Sequence, residues 1–238
     1  MSRRTVLVTG ASRGVGRAVA EASLRRGDLV VASARRSSDL EPLAGLGELV
    51  PLVLDVGDEA AIMELGPQLQ QQLDHLDAIF NCAGVYSLQS KRWDNRTTPL
   101  EAVTDEELVH VFRINAVAPM LLTRVLRPLL AAGPGGGRVV NLTSLLGSVS
   151  EKDTPGDYAY CASKAALNIM TRGLAAELAG DGIICVAVTP GWVRTEMGGA
   201  NASLTPEESA ARLLATTDSL APADSGRLID EHGDDLPW

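Results

Sequence analysis

Lysine is scarce in this chain of 238 residues: three lysines stand beside 18 arginines and 30 acidic residues, for a formal net charge of −9. No basic stripe stands out, which argues against nucleic acid or an anionic membrane surface as a partner. Cysteine is almost as rare. Cys82, Cys161 and Cys185 are an odd number in unrelated segments, which fits reduced thiols rather than a disulfide framework. His75, His110 and His232 are scattered singly, so zinc-ligand spacing is absent and no metal is expected. No apolar run approaches the ~20 residues that span a bilayer, and Met1-Ser2-Arg3-Arg4 leads straight into a strand rather than a signal-peptide core. The expectation is a cytoplasmic protein, without a membrane, whose partners are small molecules.

What the chain does have is apolar content of 45% with no break in composition, enough for a large core in one domain over residues 1–238. Strand-like and helix-like stretches alternate. Thr5 to Thr9, Leu29 to Ser33, Leu49 to Leu54, Leu76 to Phe80, Arg138 to Thr143 and Ile183 to Thr189 read as strands, with a short last one within Gly226 to Asp230. Helices are expected from Arg17 to Arg26, from Asp58 to Leu73, after a Thr104/Glu107 capping box, around Tyr160 and after Thr205. Pro119 lies inside the helix carrying Asn115 and is expected to bend or interrupt it. Such alternation implies an α/β fold: a doubly wound, mostly parallel Rossmann-type sheet, helices on both faces, ligands at the strands' C-terminal ends.

Two motifs sit at those ends. The first strand runs into Gly10-Ala11-Ser12-Arg13-Gly14-Val15-Gly16 and then a helix. Glycines there let the backbone approach a pyrophosphate, whose charge is favoured by the helix's free N–H groups and dipole. The second motif is Tyr160 and Lys164, four residues apart on one helix face, with Ser144 upstream at a strand end. An ammonium so placed stabilises phenolate and eases proton transfer by a phenol whose reference pKa is about 10.

Thr9-Gly10-x-x-x-Gly14-x-Gly16, Asn81-x-Ala83-Gly84, Asn115, Ser144, Tyr160-x-x-x-Lys164 and Pro190-Gly191 together resemble the short-chain dehydrogenase/reductase family over essentially the whole chain. Asn141 to Ser148, Pro190 to Gly199 and the ending Leu236-Pro237-Trp238 look like its Sniffer and C-factor type of carbonyl reductase. Two departures stand out. Cys82 replaces the second asparagine of the usual Asn-Asn-Ala-Gly, and Ser144 precedes Tyr160 by sixteen residues, with the extra length expected to loop out within Ser150 to Asp157. The resemblance implies that Tyr160 is the proton donor, Lys164 its electrostatic support and a ligand of the nicotinamide ribose, and Ser144 a hydrogen-bond partner of the substrate oxygen. Asn115 would anchor a water linking Lys164 to solvent. Asp55 and Val56 would flank adenine, Asn81, Ala83 and Gly84 would line adenosine and ribose, and Val193 and Thr195 beyond Pro190-Gly191 would contact carboxamide and phosphates.

Cofactor choice is read from Ala34-Arg35-Arg36, where an NAD enzyme commonly carries an acid for the ribose 2′-hydroxyl. Arg35 and Arg13 instead suit a 2′-phosphate, so NADP(H) is expected. Trp93, Trp192 and Met197 are the expected apolar lining for a small carbonyl substrate. A reductase of acyl-thioester or steroid substrates and a cofactor-binding signalling protein of C-factor type remain as alternatives. The oligomeric state stays open, since many relatives pair through the helices carrying Asn115 and Tyr160 and some carbonyl reductases of the family are monomers.

Overall fold

Side-chain alternation along buried strands decides the layering. In the computed structural model, which describes residues 3–88 and 100–238, strand β1 (Thr5–Val8) sends Val6 and Val8 into one apolar cluster and Leu7 into another. Successive strand residues face opposite sides, so a strand apolar at every position needs cover on both faces, as parallel sheets have. The chain continues through α1 (Gly14–Arg25), β2 (Leu29–Ala34), β3 (Glu48–Val53), α2 (Glu59–Gln70) and β4 (Ala78–Asn81). There follow α3 (Asp105–Phe112), α4 (Ala118–Ala131), β5 (Arg138–Leu142), α5 (Tyr158–Leu178), β6 (Ile184–Val188), α6 (Pro206–Ser219) and β7 (Leu228–Ile229).

The seven strands lie parallel in the order β3-β2-β1-β4-β5-β6-β7. On one face Val19 and Leu24 of α1 and Leu213 and Leu214 of α6 join Val30, Phe80 and Val186. On the other, Ile62 and Leu65 of α2, Leu122 and Leu126 of α4 and Leu174 of α5 join Val31, Ile79 and Val139. This is the expected doubly wound sheet. Each such side chain, fully buried, contributes about 1.5–3 kcal/mol, and the edges show where that contribution fades. Edge strand β3 leaves Val53 61% exposed and carries Pro51, whose missing N–H is tolerated on an edge.

After β3 the chain returns to add β4 on the other side of β1. That reversal opens a crevice beyond the C-terminal ends of β1 and β4. Thr9 ties the two ends together: its hydroxyl donates to the Phe80 carbonyl at 3.4 Å and accepts from the Ala83 N–H at 3.1 Å.

Of the two helix starts signalled by Thr with Glu three residues on, one forms its box in full. Thr205 and Glu208 form a reciprocal capping box at α6. At α3 only half of the expected box exists: the Thr104 hydroxyl accepts from the Glu107 N–H, but the buried Glu107 carboxylate accepts from the Ser87 hydroxyl instead. Competition from a tertiary partner explains the difference. Between α3 and α4 the helix takes one π turn, Arg113–Val117, in which the Ala118 N–H reaches the Arg113 carbonyl. Pro119 has no N–H for the carbonyl of Asn115 four residues back, so the irregularity that proline predicts is this wider turn. The stretch Asp105–Ala131 is long and apolar enough by composition to cross a membrane; here Val111, Leu122, Leu126 and Leu130 are buried in the fold.

Candidate active site

The crevice is a cleft of about 1170 Å³ bounded by the glycine turn, the ends of β2 and β4, the segment after β5, the start of α5 and residues 189–198. Its phosphate-sized end is built by backbone. Arg13, the N-cap of α1, makes no side-chain cap, and the first turn holds no acid, so the helix presents N–H groups and positive dipole to the cleft. Gly14 starts that helix with φ 57, and a Cβ on Gly16 would stand 2.5 Å from the Gly10 carbonyl oxygen. At Gly16 any side chain would displace backbone, and at Gly14 it would be strained by the left-handed φ and pressed against Thr195 at 3.3 Å. The Ser33 hydroxyl, buried at the cleft wall, has no partner among the described residues.

Two guanidinium groups flank this end. Arg35 is exposed on the rim, while Arg36 is turned away onto Asp39 by bonds of 2.8 and 3.1 Å. Arg13 pairs with Glu196 at 2.6 Å, which ties the glycine turn to the segment after β6. These cations suit a phosphate, and the glycine turn gives it room: the residues fit a dinucleotide.

At the inner end lie Ser144, Tyr160 and Lys164, all lining the cleft. Ser144 caps the short turn Leu145–Gly147, its hydroxyl accepting from the Leu146 N–H at 3.2 Å. Burial pushes the Tyr160 phenol up to about 12, and the hydrogen bond with Ser144 works against part of that rise. Burial pulls the Lys164 ammonium down to about 8. At neutral pH the phenol therefore keeps its proton and the lysine its charge. Lys164 Nζ donates to the Leu142 carbonyl at 2.7 Å and stands 5.7 Å from the centroid of the Tyr160 ring.

Asn115 sits behind the cleft wall rather than on it. Its amide is fully engaged: Oδ1 accepts from the Val85 N–H at 2.9 Å, and Nδ2 donates to the Val85 carbonyl at 2.8 Å and to Ser163 Oγ at 3.0 Å. Gly84 is the thin partition, since a Cβ there would come within 3.3 Å of Asn115 Oδ1 and 3.8 Å of Lys164 Nζ.

The model of the short chain dehydrogenase family matches residues 4–204. The chain belongs to that family. Among curated relatives it is 36% identical to C-signal of Myxococcus xanthus over 163 residues, 68% of this chain and 93% of that protein. Among solved structures, carbonyl reductase Sniffer of D. melanogaster superposes with a TM-score of 0.89 at 28% identity, over 100% of both chains. The NADPH-bound carbonyl reductase from chicken fatty liver gives the same TM-score of 0.89 and 28% identity, also over 100% of both chains.

In this short-chain dehydrogenase the cleft gathers nearly every residue singled out from the sequence: Gly10, Ser12, Arg13, Gly14, Val15, Gly16, Arg35, Asp55, Val56, Ala83, Gly84, Pro190, Gly191, Trp192, Val193, Thr195 and Met197. Asn81 stands behind the wall with Asn115, donating to Asn141 Oδ1 at 2.7 Å while its own Oδ1 has no partner among the described residues. Trp93 lies outside the described residues. Trp192 is 47% exposed, its indole N–H donating to the Gly198 carbonyl at 2.9 Å. The extra residues before Tyr160 do loop out, and Ser150 bonds the Trp238 carbonyl through both its N–H and its hydroxyl, joining two segments that sequence showed only separately. Tyr86 and Leu236, given no site role from the sequence, also line the cleft. Their place on the cleft depends on the fold, which brings the turn after β4 and the end of the chain to its wall.

Proposed function

We propose that this short-chain dehydrogenase is an NADP(H)-dependent reductase of small aldehydes or ketones, oxidising the alcohol in reverse, with binding and chemistry in one domain. The observation that carries the reading is the meeting of the buried Tyr160 phenol, the buried Lys164 side chain and Ser144 at the inner end of the cleft whose other end is the glycine turn. The NADPH-bound carbonyl reductase of the same fold supports the cofactor. When bound, the nicotinamide supplies the hydride to the carbonyl carbon.

Ser144 holds the substrate oxygen beside the Tyr160 hydroxyl, and Tyr160 delivers its proton there as negative charge grows. Lys164 stabilises the phenolate left behind. Its charge is held in a water-poor site, where it acts more strongly than in bulk solvent. Asn115 fixes the turn at Val85 and, through Ser163, the helix of Tyr160; a water held beside it would link Lys164 to solvent and resupply protons. Arg35 and Arg13 would hold the 2′-phosphate, with Asp55, Val56, Ala83, Gly84, Val193 and Thr195 around the rest of the dinucleotide. Trp192, Met197 and Leu236 form the apolar wall for a small substrate in the cytoplasm.

The similarity to C-signal supports a second reading, a signalling protein whose turnover is incidental; the convergence of Ser144, Tyr160 and Lys164 favours the enzyme. The test is NADPH oxidation by purified protein across a panel of aldehydes and ketones. Binding of NADPH with no turnover on any of them would favour the second reading.

A further inference from the structure

Tyr86 follows the Asn81-Cys82-Ala83-Gly84 turn, is 7% exposed, and lays its ring against that of Tyr160 with centroids 5.0 Å apart and planes tilted by 43°. Its hydroxyl donates to the Asp157 carboxylate. Asp157 is the N-cap of α5, three residues before Tyr160, yet its side chain caps no helix N–H. An aspartate at that position ordinarily accepts from the second or third N–H of the helix; this one is given over to Tyr86. Asp157 is also the sole non-glycine among the described residues with a left-handed backbone, at φ 54. Such a conformation persists only where the surroundings over-determine it. From the other side, Asn115 grips both backbone groups of the preceding residue, Val85.

We propose that Tyr86 and Asp157 are a positioning pair for the proton donor: the Tyr86 ring, anchored by Asp157, sets the plane and depth of the Tyr160 phenol in the cleft. The inference rests on the reading of Tyr160 as that donor. The phenol ring can otherwise shift within the wide cleft, and a displacement of about 1 Å from the productive geometry costs up to about 10²-fold in rate. The Tyr86 hydroxyl and the Asp157 carboxylate bond each other rather than the reacting oxygen, so their effect passes through Tyr160.

The test compares Tyr86→Phe, Asp157→Gly, Asp157→Asn and Tyr160→Phe in the full chain, using an active carbonyl from the panel. Tyr86→Phe should lower kcat about 10-fold while KM and the NADPH Kd stay within about two-fold. It should also raise the D2O isotope effect on kcat, because proton delivery becomes the slower step. Asp157→Gly, freed of its left-handed strain, should keep or gain melting temperature yet lose kcat to the same degree. The double variant Tyr86→Phe/Asp157→Gly should lose no more than either single one. Asp157→Asn keeps an oxygen to accept the Tyr86 hydroxyl and should lose less than Asp157→Gly. Tm and kcat falling together with an unchanged isotope effect, or wild-type kcat in Tyr86→Phe beside a dead Tyr160→Phe, would overturn the positioning pair alone. Full turnover in Tyr160→Phe would overturn the proton-donor reading beneath it.

Discussion

Lys164 reaches the Leu142 carbonyl with its ammonium while standing over the Tyr160 ring, so one buried cation is tied to the end of β5 and to the first turn of α5 at once. Burial lowers it from 10.5 to about 8. The unfolded chain therefore binds more protons at this site between those values, and stability rises with pH across that window. Relative to Lys164→Met, the wild type should gain about 2 kcal/mol between pH 7 and pH 10, measured by urea unfolding at each pH. The Tyr160 phenol, raised from 10.0 to about 12, acts oppositely: its contribution is present below pH 10 and is lost as pH rises from there through about 12. A stability difference flat in pH would show that Lys164 is not desolvated.

Tyr160→Phe removes one oxygen and keeps the ring that packs on Tyr86, so fold and NADPH binding should survive. Turnover should fall by about 10²–10⁴-fold, in kcat, since general acid catalysis acts in the transition state. Tyr158, two residues earlier at the start of α5 and only partly buried, is the control: Tyr158→Phe should keep most activity. Steady-state kinetics at saturating NADPH, with binding checked by cofactor fluorescence, separates the two.

Arg35→Ala should weaken NADPH about 10- to 100-fold and barely alter NADH, the loss of a charged hydrogen bond worth roughly 1.5–3 kcal/mol. Arg13→Ala should cost less, because its guanidinium is shared with Glu196 at 2.6 Å. Equal losses for both cofactors, measured as dissociation constants, would remove the 2′-phosphate assignment.

Trp192→Ala deletes a ring that is 47% exposed and whose N–H donates to the Gly198 carbonyl. Melting temperature should therefore change little, while kcat/KM should shift by different factors for large and small carbonyls. A drop in melting temperature with unchanged preference would place the ring in structural packing instead.

The parts of the cleft that repeat a backbone requirement were legible in the sequence. Gly16 must be glycine because a Cβ would meet the Gly10 carbonyl, and Tyr160 and Lys164 share a face because a helix makes residues four apart neighbours. Strand ends drifted by one or two residues, as at Leu76, whose N–H bonds the Leu129 carbonyl outside the sheet. What stayed hidden depends on partners far along the chain. Glu107 reads as a capping residue until Ser87 claims it, and Tyr86 reads as a loop tyrosine until Asp157 and Tyr160 meet it across 71 and 74 residues.

The π turn at Arg113–Val117 sets a phase as well as a shape. An α-helix advances about 100° per residue, so the one extra residue held in that turn rotates everything on one side of it relative to the other. Asn115 meets Val85 and Ser163, and Leu122 and Leu126 meet the sheet, only because both sides keep this offset. Removing a single residue from 113–117 would bring the helix back to regular winding and turn either the asparagine from its loop or the leucines from the core. Length is thus fixed to the residue in this connection by helix winding.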